Sequence, residues 1–169
     1  LGLTFYLTEM AIIGNGDIAK ALKDRKGAIF FASGVSNSSC RDEYQFAKES
    51  KILLAQPRDK CLFYFSTISR YYSWSPYIEH KKRMETLVQQ FFENFNIIRI
   101  GNIDWGINPH TFLNALQAKK AKGEPFEIFE EFRYMISKNE LLLLTNNLPL
   151  TGKNEINAFG RMALVKNLL

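Results

Sequence analysis

The chain has 169 residues, of which 46% are hydrophobic and 23% charged. That is about one domain's length with ordinary globular usage, which excludes a disordered chain. The net charge of +5 is too small and too scattered for a nucleic-acid stripe, but it suits an anionic ligand such as a dinucleotide or a nucleotide sugar.

No apolar run approaches the ~18 residues that span a bilayer. Two cysteines, Cys40 and Cys61, are too few for a disulfide framework, and no Cys/His spacing points to zinc. These features predict a cytoplasmic protein with reduced, buried or half-buried cysteines and no metal, membrane or nucleic-acid partner. Residues 1–9 read as an N-terminal extension: the first eight are apolar but lack the basic region and cleavage site of a signal peptide. Met10 would be a natural start for the domain.

Residues 10–13 form a short apolar run that ends in Gly14-Asn15-Gly16-Asp17-Ile18-Ala19, with a helix expected from there to about Arg25. Residues 28–32 are a second apolar run ending at Ser33-Gly34. A loop is expected over 36–39 and a helix over 42–55. A third strand is expected over 61–65. Ser75 and Pro76 then have the chemistry of an N-cap and first helical position. The helix they open carries Met84, Leu87, Val88, Phe91, Phe92 and Phe95 at helical spacing. A fourth strand over 97–100 comes next, then a helix over 109–122, stopped by Gly123. The remainder predicts short strands and turns, a helix over 138–144 and another near 162–169. Strand–helix alternation of this kind argues for an α/β fold with a mainly parallel sheet.

Three groups of residues could carry chemistry. In Gly14-x-Gly16-x-x-Ala19, the first glycine permits a tight turn and the second lets a pyrophosphate approach the backbone. The small third residue lets helix and strand pack closely. Tyr77 and Lys81, four residues apart, share one face of the long helix, where an ammonium would favour a phenolate. Ser66 and Thr67 lie just past the third strand, on the rim where parallel sheets bind ligands. His80, inside the Tyr77–Lys81 turn, is expected to face solvent, and His110 lies in a loop; neither is expected to bind metal.

Together these groups resemble the extended short-chain dehydrogenase/reductases, the NAD-dependent epimerase/dehydratase family of nucleotide-sugar enzymes. Phe63-Tyr64-Phe65-Ser66-Thr67-Ile68-Ser69-Arg70-Tyr71 is similar to the family's strand and Ser/Thr-x-x-x-Tyr segment. Ser75-Pro76-Tyr77-Ile78-Glu79-His80-Lys81 is similar to its Tyr-x-x-x-Lys helix start. Ile98-Arg99-Ile100-Gly101-Asn102 resembles its Arg-x-x-Asn segment, and Phe132-Arg133-Tyr134-Met135-Ile136 its Arg-Asp-Tyr-Ile segment.

The resemblance implies a Rossmann-like, mainly parallel α/β sheet of reduced strand number in one domain, with residues from about 107 to 169 forming a truncated substrate lobe. It implies NAD or NADP as cofactor and a nucleotide sugar as substrate. Thr67, Tyr77 and Lys81 would be catalytic. Gly14, Asn15, Gly16, Asp17, Ile18, Ala32, Ser33, Gly34, Ser66 and Lys81 would face the cofactor, and Asn102 and Arg133 the substrate. The alternative is a non-catalytic ligand-binding or scaffold protein on the same fold.

The chain departs from the family's pattern in its first half. Only residues 20–27 separate the motif helix from the 28–32 run, whereas a βαβ unit takes about 30 residues. Either that run is the family's second strand, or it is the fourth with the second and third deleted. Phe31-Ala32-Ser33-Gly34 and the helix after it favour the deletion. In both cases the carboxylate that holds the adenosine ribose is absent, so a homodimer whose partner subunit completes the pocket is a further expectation. The family's Asn in the following helix is not evident either; the nearest stretch reads Phe46-Ala47-Lys48-Glu49.

Overall fold

A computed structural model describes residues 11–125 and 131–169. The expectations on the N-terminal extension and on Met10 fall outside these residues.

In chain order the elements are β1 (Ile12–Ile13), α1 (Asp17–Ala21), β2 (Ala28–Phe31), α2 (Glu43–Leu54), β3 (Cys61–Thr67), α3 (Pro76–Phe91), β4 (Phe95–Ile100), β5 (Asn102–Ile103), α4 (Phe112–Ala121), β6 (Phe132–Ile136), α5 (Lys138–Asn147), β7 (Lys153–Ala158) and β8 (Arg161–Leu164). Short 3-10 turns cover Ile68–Tyr71 and Val165–Asn167. A five-stranded sheet runs β1-β2-β3-β4-β7, parallel throughout. A smaller sheet runs β5-β6-β8, with β6 and β8 antiparallel. The protein is thus α/β, as the alternation predicts.

The central strands are mostly apolar because helices cover both of their faces, although Asn96 and Arg99 interrupt β4. Successive side chains alternate between two cores. Phe30, Phe63, Phe65 and Ile98 point to the side of Leu22 and Leu141. Ile29, Phe31, Leu62, Tyr64 and Ile97 meet Leu53 of α2 and Met84 and Val88 of α3 on the other side. The helix starts are capped as their residues dictate. Ser75 accepts from Ile78 N–H ahead of Pro76, and Asp42 accepts from Tyr44 N–H. Ser137 and Glu140 form a reciprocal capping box.

Strand order decides between the two placements of the 28–32 run. In a doubly wound sheet of order 3-2-1-4-5-6 the first strand is internal. Here, among the described residues, β1 is an edge and β2 pairs beside it. That is the arrangement left when the second and third strands are removed.

Several expectations need correction. The motif helix ends at Ala21 and not near Arg25, since Leu22 turns extended. The long helix stops at Phe91: Phe92 is already extended and buried, and Phe95 opens β4. Phe91 is half exposed despite its helical spacing. The helix over 109–122 starts only at Phe112, where Thr111 caps it. No α-helix forms near 162–169; only the 3-10 turn Val165–Asn167 falls there. Residues Arg161–Leu164 pair as a strand with β6, which supplies backbone partners that a short terminal helix would lack.

Candidate functional site

Parallel strands bring their carboxyl ends to one rim, and a cleft of about 1250 Å³ opens along it. It is lined by Asn15, Gly16, Asp17 and Ile18 after β1, by Ala32, Ser33 and Gly34 after β2, and by Ser66 and Thr67 at the end of β3. Tyr77 and Lys81 of α3, Asn102 of β5 and Arg133 of β6 complete it. The sequence-predicted residues therefore converge, with Gly14 immediately behind them. The cleft also takes in the loop 35–39, Tyr72, Asn108, His110 and Lys119, which local patterning did not single out.

Gly14 has φ +125°, and a Cβ there would lie 2.4 Å from the Ala32 carbonyl oxygen. Only glycine satisfies both constraints. A Cβ on Gly16 would meet nothing within 4 Å, so the backbone there is open to a ligand. Asp17 is turned away from that opening. Its carboxylate accepts from the N–H groups of Ile107 (3.2 Å) and Asn108 (2.9 Å) and ties the turn to the loop after β5.

Thr67 Oγ1 caps the 68–71 turn by accepting from Ser69 N–H, which leaves its own hydroxyl proton available. Ser66, also within β3, is committed differently: its hydroxyl donates to Glu85 at 2.6 Å. Glu85 in turn holds Arg99 of β4 by three hydrogen bonds and pairs with Arg70. Burial alone would lower the Arg99 pKa, but its hydrogen bonds to Glu85 and Glu155 raise it. This lock fixes the end of β3 against α3.

Under Tyr77 lies a buried polar cluster. Lys81 Nζ donates to Glu49 (3.1 Å) and to the Tyr64 hydroxyl (3.2 Å), and sits 5.8 Å from the centre of the Tyr77 ring. Tyr64 donates to Glu49 at 3.2 Å, and Val35 N–H donates to it at 2.9 Å. His80 is a correction to its predicted exposure. It is 2% exposed, stacked on Phe46, and 2.9 Å from Glu49 through Nε2, because its face of α3 packs on α2.

Burial pushes the Glu49 carboxyl up, but the Lys81 charge and the hydrogen bonds from His80 and Val35 outweigh it. Its pKa falls to about 2. Tyr77 is half-buried, and burial moves its pKa up; Lys81 opposes and Glu49 reinforces the rise. Glu49 belongs to no motif, but its position carries a signal. It sits three residues after Phe46 and four before Leu53, an acid on the core-facing stripe of α2.

Asn102 donates to the Tyr134 carbonyl at 3.3 Å. Arg133 is paired with Glu131 and lies 5.0 Å over the Phe112 ring. Both cysteines are free and buried.

No family profile and no curated protein matches the chain by sequence. Solved structures do match. A UDP-glucuronic acid 4-epimerase from Bacillus cereus, with a fluorinated UDP-sugar and NAD, superposes with TM-score 0.62 at 16% identity over 90% of this chain and 60% of that one. The chain has the fold of the nucleotide-sugar epimerases. A UDP-N-acetylglucosamine 4-epimerase from Methanobrevibacter ruminantium matches with TM-score 0.58 at 16% identity, over 91% of this chain and 61% of its own. For a Thermus thermophilus UDP-glucose 4-epimerase in complex with NAD the values are 0.58 and 17%, over 82% and 58%. This chain spans about three fifths of these relatives, so the epimerase fold is present in shortened form. Among the described residues, no helix is long and apolar enough to cross a membrane.

Proposed function

We propose that this protein is an NAD(P)-dependent nucleotide-sugar epimerase, dehydratase or reductase, built as a single domain with a reduced substrate lobe from about 107 to 169. The observation that carries this reading is the convergence of Thr67, Tyr77, Lys81 and the Gly14–Gly16 turn on one cleft. The glycine turn fits a pyrophosphate, since Gly16 is open and Gly14 is pressed flat against β2. Gly16, Ser33 and Gly34 would hold the cofactor's diphosphate end, and Lys81 its nicotinamide ribose. When bound, the nicotinamide supplies hydride transfer. Tyr77 exchanges a proton with the reacting sugar oxygen, and the Thr67 hydroxyl orients that oxygen. Asn102 and Arg133 face the nucleotide sugar, with Arg133 set for its diphosphate.

A second reading, a ligand-binding protein without turnover, is favoured by the absence of further strands beside β1 among the described residues and by the ion pair that occupies Lys81. The deciding experiment is to purify the protein without added cofactor and analyse it by mass spectrometry for NAD(H) or NADP(H). UDP-sugars are then added with cofactor while absorbance at the reduced-nicotinamide band and sugar products are monitored. Turnover that Tyr77→Phe abolishes without loss of fold supports the enzyme. Cofactor retention without turnover supports the second reading.

A further inference from the structure

Glu49 has no place in the chemistry above, yet it is a buried carboxylate with four different hydrogen-bonding partners beside the cleft. It receives Val35 N–H and His80 Nε2 on one oxygen and Lys81 Nζ and the Tyr64 hydroxyl on the other, all within 3.2 Å. Gly34 closes the cluster from above: a Cβ at that position would lie 2.6 Å from Lys81 Nζ and 3.0 Å from Glu49 Oε1. The lysine is thus pinned between α2, β3 and the loop after β2.

A carboxylate beside a lysine offsets the pull of the lysine's charge on a neighbouring tyrosine's pKa. Here the compensating charge is 3.1 Å away, between side chains only 5% and 1% exposed. We propose that Glu49 is a positioning residue of this site: it anchors Lys81 beneath Gly34 and holds Tyr77 as a neutral phenol, so that Tyr77 meets a substrate carbonyl oxygen as a proton donor. The groups that face Tyr77 and its lysine are Lys81 on its own helix, Glu49 on α2 and Tyr64 on β3, with Glu85 further along α3. Burial is the main cause of the upward Tyr77 pKa; Lys81 opposes the rise and Glu49 adds to it. The substrate class that such a donor serves is a keto-sugar nucleotide, which narrows the proposed function to its reductase member, since an epimerase or dehydratase starts from a hydroxyl that would need the phenolate as base.

This inference rests on reading Tyr77 and Lys81 as the reacting pair, but its test needs no turnover. The full chain, labelled with carbon-13 at tyrosine Cζ, is titrated by NMR without ligand, and the Tyr77 resonance is assigned with Tyr77→Phe. Wild type is expected to keep Tyr77 as a phenol up to pH ~10, the ordinary tyrosine value. Glu49→Gln is expected to lower the midpoint by a pH unit or more, a tenfold rise in the acid constant. Glu49→Asp, which keeps the charge, is expected to hold it near wild type. A wild-type Tyr77 that ionises below pH ~9 overturns the proposal, and this arm stands even where Glu49→Gln does not fold. An unchanged midpoint in Glu49→Gln overturns it too, as does an equal fall in Glu49→Asp. An acidified Tyr77 in Glu49→Gln, in a protein that turns over no sugar nucleotide, would leave the proposal intact and sink the enzymatic reading alone.

Discussion

Asp17 Oδ2 accepts the backbone N–H of Asn108 at 2.9 Å, across a separation of 91 residues. An acid inside the glycine motif therefore serves the loop after β5, and Asn108 passes the connection on to Ser36 Oγ at 3.1 Å. The two loops that border the cleft are joined through this residue.

Asp17→Ala removes two charge-assisted hydrogen bonds, one to Ile107 and one to Asn108. The expected loss is about 1.5–3 kcal/mol, a fall in melting temperature of roughly 3–10 °C for a chain of this size. Calorimetry checks it. A melting temperature within about 1 °C of the parent would show that the strap contributes nothing.

The buried Glu49 makes stability fall in acid. Its folded pKa is depressed to about 2 from 4.5, so its contribution is full above pH 4.5 and disappears as pH drops through 2. The integrated effect is about 3 kcal/mol. Urea unfolding at a series of pH values should show this loss between pH 4.5 and 2, and Glu49→Gln should flatten that part of the curve. An equally steep curve in the variant would assign the acid sensitivity to other carboxylates, such as Glu155 beside Arg99.

Arg133→Ala should weaken a nucleotide-diphosphate sugar by roughly 1.5–3 kcal/mol and barely affect the dinucleotide. Glu131 competes for the same guanidinium, so Glu131→Gln should tighten the sugar nucleotide. Titration calorimetry with both ligands decides the matter. Equal losses for the two ligands in Arg133→Ala would place the arginine in a shared structural feature.

Among the described residues β1 lies at the sheet edge, so the wall they would form around the adenosine is reduced, and the expected ribose-binding carboxylate after the glycine motif is absent from the sequence. Missing that hydrogen-bonded pair costs about 1.5–3 kcal/mol, or ten- to a hundredfold in affinity. Micromolar or weaker binding is expected, with poor discrimination between NAD and NADP. Titrations at two protein concentrations also reveal whether a second copy completes the site. Nanomolar binding with strong NAD preference at both concentrations would contradict this account.

What the amino-acid sequence determined by itself is what short-range chemistry controls. The runs at 28–32 and 97–100 read as strands, and β2 and β4 form there, buried because both of their faces are covered. Ser75-Pro76 marked the start of α3, because a cap and a fixed φ act within one turn. Gly14, Gly16, Thr67, Tyr77 and Lys81 were recognisable because each motif spans six residues or fewer. Tertiary structure alone decided the rest. The Arg161–Leu164 strand exists because β6 lies alongside it. His80 is buried because α2 covers its face of α3. The edge position of β1 depends on which strands pair, a choice that leaves no local mark. Glu49 meets Lys81 across 32 residues, and neither residue's neighbours in sequence report the other. Burial and ion pairing depend on which surfaces meet, and that is settled only when helices and strands pack.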